Sequence, residues 1–241
     1  MAGSFLKGRG RGSIKTAFVQ ALVLIASGDR QLGIILATTL RMALASSVIA
    51  LVAGAPLGVL LGSYSGRGKR ALVVVNRTLM GLPPVVVGLV CYMLFSGVGP
   101  LRHLRLLYTV TGMVVAQVIL LLPLIAGSLE SHVSTVAPDI RETAHGMGLG
   151  RGRTLLLLIN ESQYQLVSAY LLGLGRAFAE VGAVSMVGGA IAYKTNVMTT
   201  AIMNYTNMGD FTTALALGII LLAISLLLNV GVALLYWGLK R

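Results

Sequence analysis

Apolar residues in this chain neither alternate nor recur as a single helix stripe; they run on, with few interruptions, for twenty or more positions at a time. Five runs, residues 39–64, 71–96, 107–129, 163–190 and 211–238, are each long enough to cross roughly 30 Å of hydrocarbon at about 1.5 Å per helical residue. A backbone out of reach of water must satisfy its own hydrogen bonds, so the runs predict transmembrane helices. The intervening segments, 65–70, 97–105, 138–153 and 194–210, carry charge and turn chemistry. The expected architecture is an all-α polytopic membrane protein, with a five-helix core in residues 38–239 and a basic segment, 1–37, holding one short helix.

That short helix is the ambiguous element. Lys7, Arg9, Arg11 and Lys15 flank an apolar run over 14–27, only about 21 Å long by helical rise. It reads equally as a sixth crossing or as a helix lying in the interface; a cleaved signal peptide ending in the small residues Ala26, Ser27 and Gly28 is the lesser alternative. Alternating the loops puts Arg67, Lys69, Arg70, Arg77, Arg141, Arg151, Arg153, Lys240 and Arg241 on one side. Arg30, Arg41, Arg102, Arg105 and Lys194 fall on the other. Nine against five places the 138–153 loop and the C-terminus in the cytoplasm by the positive-inside rule.

Composition agrees with a bilayer. The chain is 56% hydrophobic and 11% charged, with a mean hydropathy of +0.88, which excludes a soluble enzyme. Its net charge of +12 reads as topology information rather than as a nucleic-acid footprint. Cys91 is alone in an apolar stretch, so no disulfide framework exists and the bland reading is a small buried hydrophobe. His103, His132 and His145 lack metal-ligand spacing, and no G-x-S-x-G occurs, so neither a metal nor a catalytic residue is expected. Gly68-Lys69 lacks the upstream glycine and following Ser or Thr of a phosphate-binding loop. Any ATP-driven step therefore needs another polypeptide, and no cofactor is implied.

Within the runs, Gly54, Gly58 and Gly62 recur every fourth residue and predict close approach of a neighbouring helix, with Pro56 between them. Pro123 interrupts the third run. Gly81-Leu82-Pro83-Pro84 breaks the second, and a broken helix either lines a pathway or only shapes packing. Ser46, Ser47 and Gln117 are polar span residues able to serve an oxyanion or to bond helix to helix. Arg176 and Glu180, one turn apart, predict an ion pair beside an anion path or locking two helices.

The segment Pro138-Asp139-Ile140-Arg141-Glu142-Thr143-Ala144-His145-Gly146-Met147-Gly148 starts with proline and acid and stops in glycines, predicting a short helix on the membrane surface. Glu142, Ala144 and Gly148 fit E-A-A-x-x-x-G, by which the chain resembles permeases of type I ABC importers; Thr143 replaces the first alanine. The general signature continues towards Ile-x-Leu-Pro, where this chain reads Leu158-Ile159-Asn160-Glu161. Gly81-Leu82-Pro83-Pro84-Val85-Val86-Val87-Gly88-Leu89 with Gly175-Arg176-Ala177-Phe178-Ala179-Glu180-Val181-Gly182-Ala183-Val184 narrows the likeness to the tungstate permease subfamily, near the molybdate permeases. Gly188-Gly189 and Val197-Met198-Thr199-Thr200-Ala201-Ile202 extend it, while Ser185 and Ala190 depart from it.

The resemblance implies a homodimer around a central path in the prokaryotic cytoplasmic (inner) membrane, two cytoplasmic ATPase subunits, an extracytoplasmic binding protein and a small dianion as cargo. It implies that Arg141, Glu142, Thr143, Ala144, Gly146 and Gly148 contact the ATPase. Lys194, Thr195 and Asn196, in the outer loop before the amphipathic run 197–205, would meet the binding protein or merely join two helices. The rival reading is a secondary transporter or channel for a small anion without an ATPase; no internal repeat supports it. A membrane-embedded enzyme lacks any nucleophile paired with a base or metal.

Overall fold

The computed structural model describes residues 14–26 and 30–239. The basic residues Lys7, Arg9, Arg11, Lys240 and Arg241, with Ser27 and Gly28, lie outside the described residues. Ten α-helices follow in order: α1 Ile14–Ala26, α2 Arg30–Ser63, α3 Lys69–Met80, α4 Pro84–Phe95, α5 Val110–Gly146, α6 Arg151–Glu161, α7 Gln163–Ala179, α8 Gly182–Gly188, α9 Met198–Asn207 and α10 Phe211–Leu239. Among the described residues there is no strand.

The longest interface joins α2 to α5, and the glycine stripe creates it. A Cβ on Gly58 would stand 2.6 Å from the Ala126 carbonyl oxygen and 2.7 Å from Leu129 Cβ; one on Gly62 would stand 2.7 Å from Val133 Cβ. Only hydrogens let the two backbones approach this closely. Across that contact Ser46 Oγ donates to Gln117 Oε1 (2.7 Å) and Gln117 Nε2 donates to the Ala177 carbonyl (2.7 Å), tying α2, α5 and α7 together.

Two of the five expected crossings are bent pairs, α3 with α4 by 91° and α7 with α8 by 58°. Contacts with α5 at the two ends of each pair favour a crossing over a loop that folds back. Where α3 begins, Lys69 Nζ donates to the Gly62 carbonyl, and Gly62 sits against Val133. Where α4 ends, Phe95 packs in a cluster with Leu106, Leu107 and Ala116. The second pair starts with Gln165 bonded to Ser128 and finishes with Gly188 against Met113 and the Val187 carbonyl accepting from Tyr108 N. Along α5 the contacts of the first pair, from Val133 to Ala116, span about 26 Å by helical rise, and those of the second, from Ser128 to Met113, about 22 Å. Counting each pair once gives five crossings.

Several expected boundaries move. The first crossing begins at Arg30 rather than residue 39, so Arg41, counted with the outer loops, lies inside α2. The third does not stop at 129: α5 runs through Pro123 and Pro138 to Gly146, roughly 55 Å by helical rise. The separate surface helix expected from Pro138 is therefore the end of α5. A proline lacks one donor but does not stop a helix whose flank is packed; here Val133, Ala137, Val136 and Ile140 pack against Leu155 and Leu158 of α6.

The N-terminal α1 has 13 residues, about 20 Å by helical rise, too short to cross by itself. It packs along α10, with Ala17 and Ala21 buried and Gln20 Nε2 donating to Thr213 Oγ1 at 2.9 Å.

Candidate functional site

The chain breaks at Gly81-Leu82-Pro83, where α3 stops and α4 starts with Pro84 at its first turn. Proline suits that position because the first helical N–H has no partner in any case. Gly88 then lets α4 approach α8, since a Cβ there would lie 2.7 Å from Ala183 Cα. On the other flank, Asn76 Nδ2 donates to the Pro123 carbonyl (3.2 Å), seated over Gly127.

Beside the break lies a cavity of about 420 Å³ whose wall includes Met80, Leu82, Leu120, Leu124, Leu172 and Arg176. Among the expected path residues, Leu82 borders this cavity, and Gly81 and Pro83 are exposed next to it. Ser46, Ser47 and Gln117 do not reach it. All three are fully buried; Ser46 and Gln117 form the interhelix chain above, and Ser47 Oγ donates to the Leu44 carbonyl. Ser46 and Gln117 thus bond helix to helix, while Ser47 bonds within its own helix.

The expected Arg176–Glu180 ion pair is absent. Glu180 caps α7, which ends at Ala179, and its ψ of 126° turns the following chain away from the helix axis and brings Ala183 N within reach of its carboxylate. The Glu180 carboxylate turns forward and accepts from Ala183 N at 3.1 Å, while its carbonyl accepts from Thr199 Oγ1 at 2.9 Å. Arg176 is left exposed at the cavity. The ion pair found among the described residues is Arg77–Glu130, at 3.9 Å, with Glu130 buried on α5 and Arg77 on α3. Sequence reasoning missed Glu130 because the third run was ended at 129. The inward stripe Ala126, Leu129, Val133, Ala137 continues past it and was the available signal.

At the far end of α5, Glu142, Thr143, Gly146 and Gly148 are exposed, Arg141 is half-buried and Ala144 is buried. Gly148, at φ +65°, closes the helix in the left-handed region, where glycine carries no Cβ penalty. Its N–H bonds to the His145 carbonyl, and Leu149 N to that of Ala144. In the segment between α8 and α9 Lys194 is exposed, but Thr195 is fully buried, with Oγ1 donating to the Gly188 carbonyl at 2.6 Å. Asn196 Oδ1 accepts from Thr200 Oγ1. Thr195 therefore builds the loop and cannot touch a docked protein, which leaves the exposed Lys194 and the half-buried Asn196 as the accessible members of that trio.

A multi-pass bundle whose broken crossing and unpaired arginine border one cavity has the anatomy of a membrane transport subunit. The chain belongs to the family described as binding-protein-dependent transport system inner membrane component, which it matches over residues 54–241. It is 36% identical to the tungstate uptake system permease protein TupB of Peptoclostridium acidaminophilum, over 90% of this chain and 95% of that one. It is 37% identical to a probable anion ABC transporter permease protein of Haloferax volcanii, over 81% and 86%. To the molybdenum transport system permease protein ModB of Azotobacter vinelandii it is 27% identical, over 73% and 81%. The resemblance carried by the glycine-proline and coupling motifs thus holds, and the chain is a transport component rather than an enzyme.

Proposed function

We propose that this chain is the membrane subunit of an ATP-driven importer of a tetrahedral oxyanion, with tungstate first and molybdate second. It works as a homodimer, with two ATPase subunits on the cytoplasmic side and a binding protein outside. The observation that carries the reading is α5, which starts at the outer loop, borders the cavity through Leu120 and Leu124, and ends in the exposed turn around Glu142. One helix braced by α6 can carry a push from an ATPase groove to the cavity, because a packed helix moves as a body. ATP binding would close the ATPase pair and, through Arg141, Glu142, Thr143, Ala144, Gly146 and Gly148, turn the path outward. Similarity to permeases named for tungstate and molybdenum supports the cargo; the basic asymmetry of the loops supports a cytoplasmic coupling turn and C-terminus. On the opposite side, Lys194 would meet the binding protein.

The test is charge reversal at the turn. Glu142→Lys leaves the protein in the membrane but lowers the amount of ATPase subunit that co-purifies, and an unchanged yield of complex would overturn the coupling role. Competition of labelled tungstate with molybdate and sulfate in proteoliposomes reads the cargo. Uphill uptake by liposomes holding this chain alone would favour the uncoupled transporter instead.

A further inference from the structure

Arg176 presents a physical problem that the fold does not solve internally. Its side chain is exposed on α7, it makes no hydrogen bond or ion pair within the described residues, and it stands level with Leu120 and Leu124 of the crossing helix α5. An unpaired guanidinium facing lipid there is costly even on the most lenient insertion scale. The nearby acid Glu180 is spent on Ala183 N, and Glu130 faces Arg77. The remaining lining of the cavity is apolar or glycine, so the guanidinium is its only charged group. A cationic group without an internal counter-ion, on a cavity wall, calls for an anion from outside the chain. Helix α4 begins two residues after Leu82, so its positive end lies at the same break.

We propose that Arg176 is the residue that holds the oxyanion inside the membrane, and that the Arg176 of a second copy completes the site. The inference rests on the importer and homodimer reading above. Two guanidiniums balance the two charges of a tetrahedral dianion, and each presents a planar fork that takes two oxygens. Apolar walls supply no further donors, so the site attracts without gripping, as passage requires. It recognises charge and tetrahedral shape, leaving fine discrimination between such dianions to the binding protein.

The experiment uses the assembled complex, with loaded binding protein and ATP, in proteoliposomes given labelled tungstate. Removing one charged bidentate contact per copy lowers uptake about tenfold or more in Arg176→Gln, whereas Arg176→Lys recovers most of it. A second arm works on protein that is already folded. In a Cys91→Ser background, Arg176→Cys is treated in the assembled complex with aminoethyl methanethiosulfonate, which adds a positive charge, or with the sulfonatoethyl reagent, which adds a negative one. Uptake rises with the first and not with the second, and tungstate slows the modification. A packing role would respond alike to both adducts. Uptake by Arg176→Gln within about twofold of the parent, a difference below the worth of one such contact, overturns the site while leaving the importer reading intact. A thiol that never reacts in the assembled complex does the same. Parent complex that fails to assemble with its ATPase, or takes up no tungstate, overturns both.

Discussion

At Gly58 the helix pair α2–α5 leaves no room for even one carbon, since the atoms a Cβ would strike are the Ala126 backbone and Leu129 Cβ, at 2.6 and 2.7 Å. Backbone cannot swing aside as a flexible side chain can, so Gly58→Ala must part the helices. The cost of such overpacking is about 1–3 kcal/mol, seen as a lower unfolding temperature in detergent, whereas Gly175→Ala, inside α7 with open space around it, does not lower that temperature and raises it by helix propensity. The stripe was legible because a period of four maps onto one helix face. The Arg176–Glu180 pair was misread by the same rule, which presumes that helix continues past both positions; nothing like a proline marks the end of α7 at Glu180, whose carboxylate turns forward to Ala183 N instead of back to Arg176. Local spacing reveals packing when the element is regular and misleads where the chain breaks for tertiary reasons.

Among elements, α3 is the one whose attachment is polar. None of its residues is buried, and it is held to its neighbours by Lys69 to Gly62, Asn76 to Pro123 and Arg77 to Glu130. The ion pair is lopsided: Glu130 is buried, while the Arg77 side chain is 67% exposed. Removing the exposed partner strands a buried carboxylate, but neutralising the buried partner leaves an arginine that water can solvate. Arg77→Ala therefore destabilises the complex more than Glu130→Gln does, measured as the ordering of their unfolding temperatures. The opposite ordering would mean that water reaches Glu130 freely. Pro83-Pro84 announced the break between α3 and α4, because proline has a fixed φ and no donor. The break between α7 and α8 carried no such signal, and it depends on Gly182 packing against Val85 and Pro84 of a helix a hundred residues away.

For the whole molecule, the decisive question is whether the two bent pairs cross the membrane or fold back within it. If each crosses, Arg67 and the exposed His145 lie on one side, and the exposed Arg102 and Lys194 on the other. If α7–α8 were a re-entrant loop, His145 and Lys194 would share a side; the same holds for α3–α4 with Arg67 and Arg102. The contacts favour crossing, since each pair begins beside the Ser128–Val133 region of α5 and ends beside its first turn. The hydropathy pattern alone reads five crossings, because a bend does not change how many apolar residues are needed to span hydrocarbon. It could not reveal the bends themselves, nor that α5 outruns the membrane, because the polar residues after 129 are equally compatible with a loop and with helix exposed on one face. Single cysteines at the four positions, in the Cys91→Ser background, should divide two and two when an impermeant maleimide is applied to right-side-out and to inverted vesicles. His145→Cys and Arg67→Cys should react only in inverted vesicles, as the excess of basic residues on that side requires. Labelling of His145→Cys and Lys194→Cys from the same face would reduce α7–α8 to a hairpin and take Arg176 away from the path.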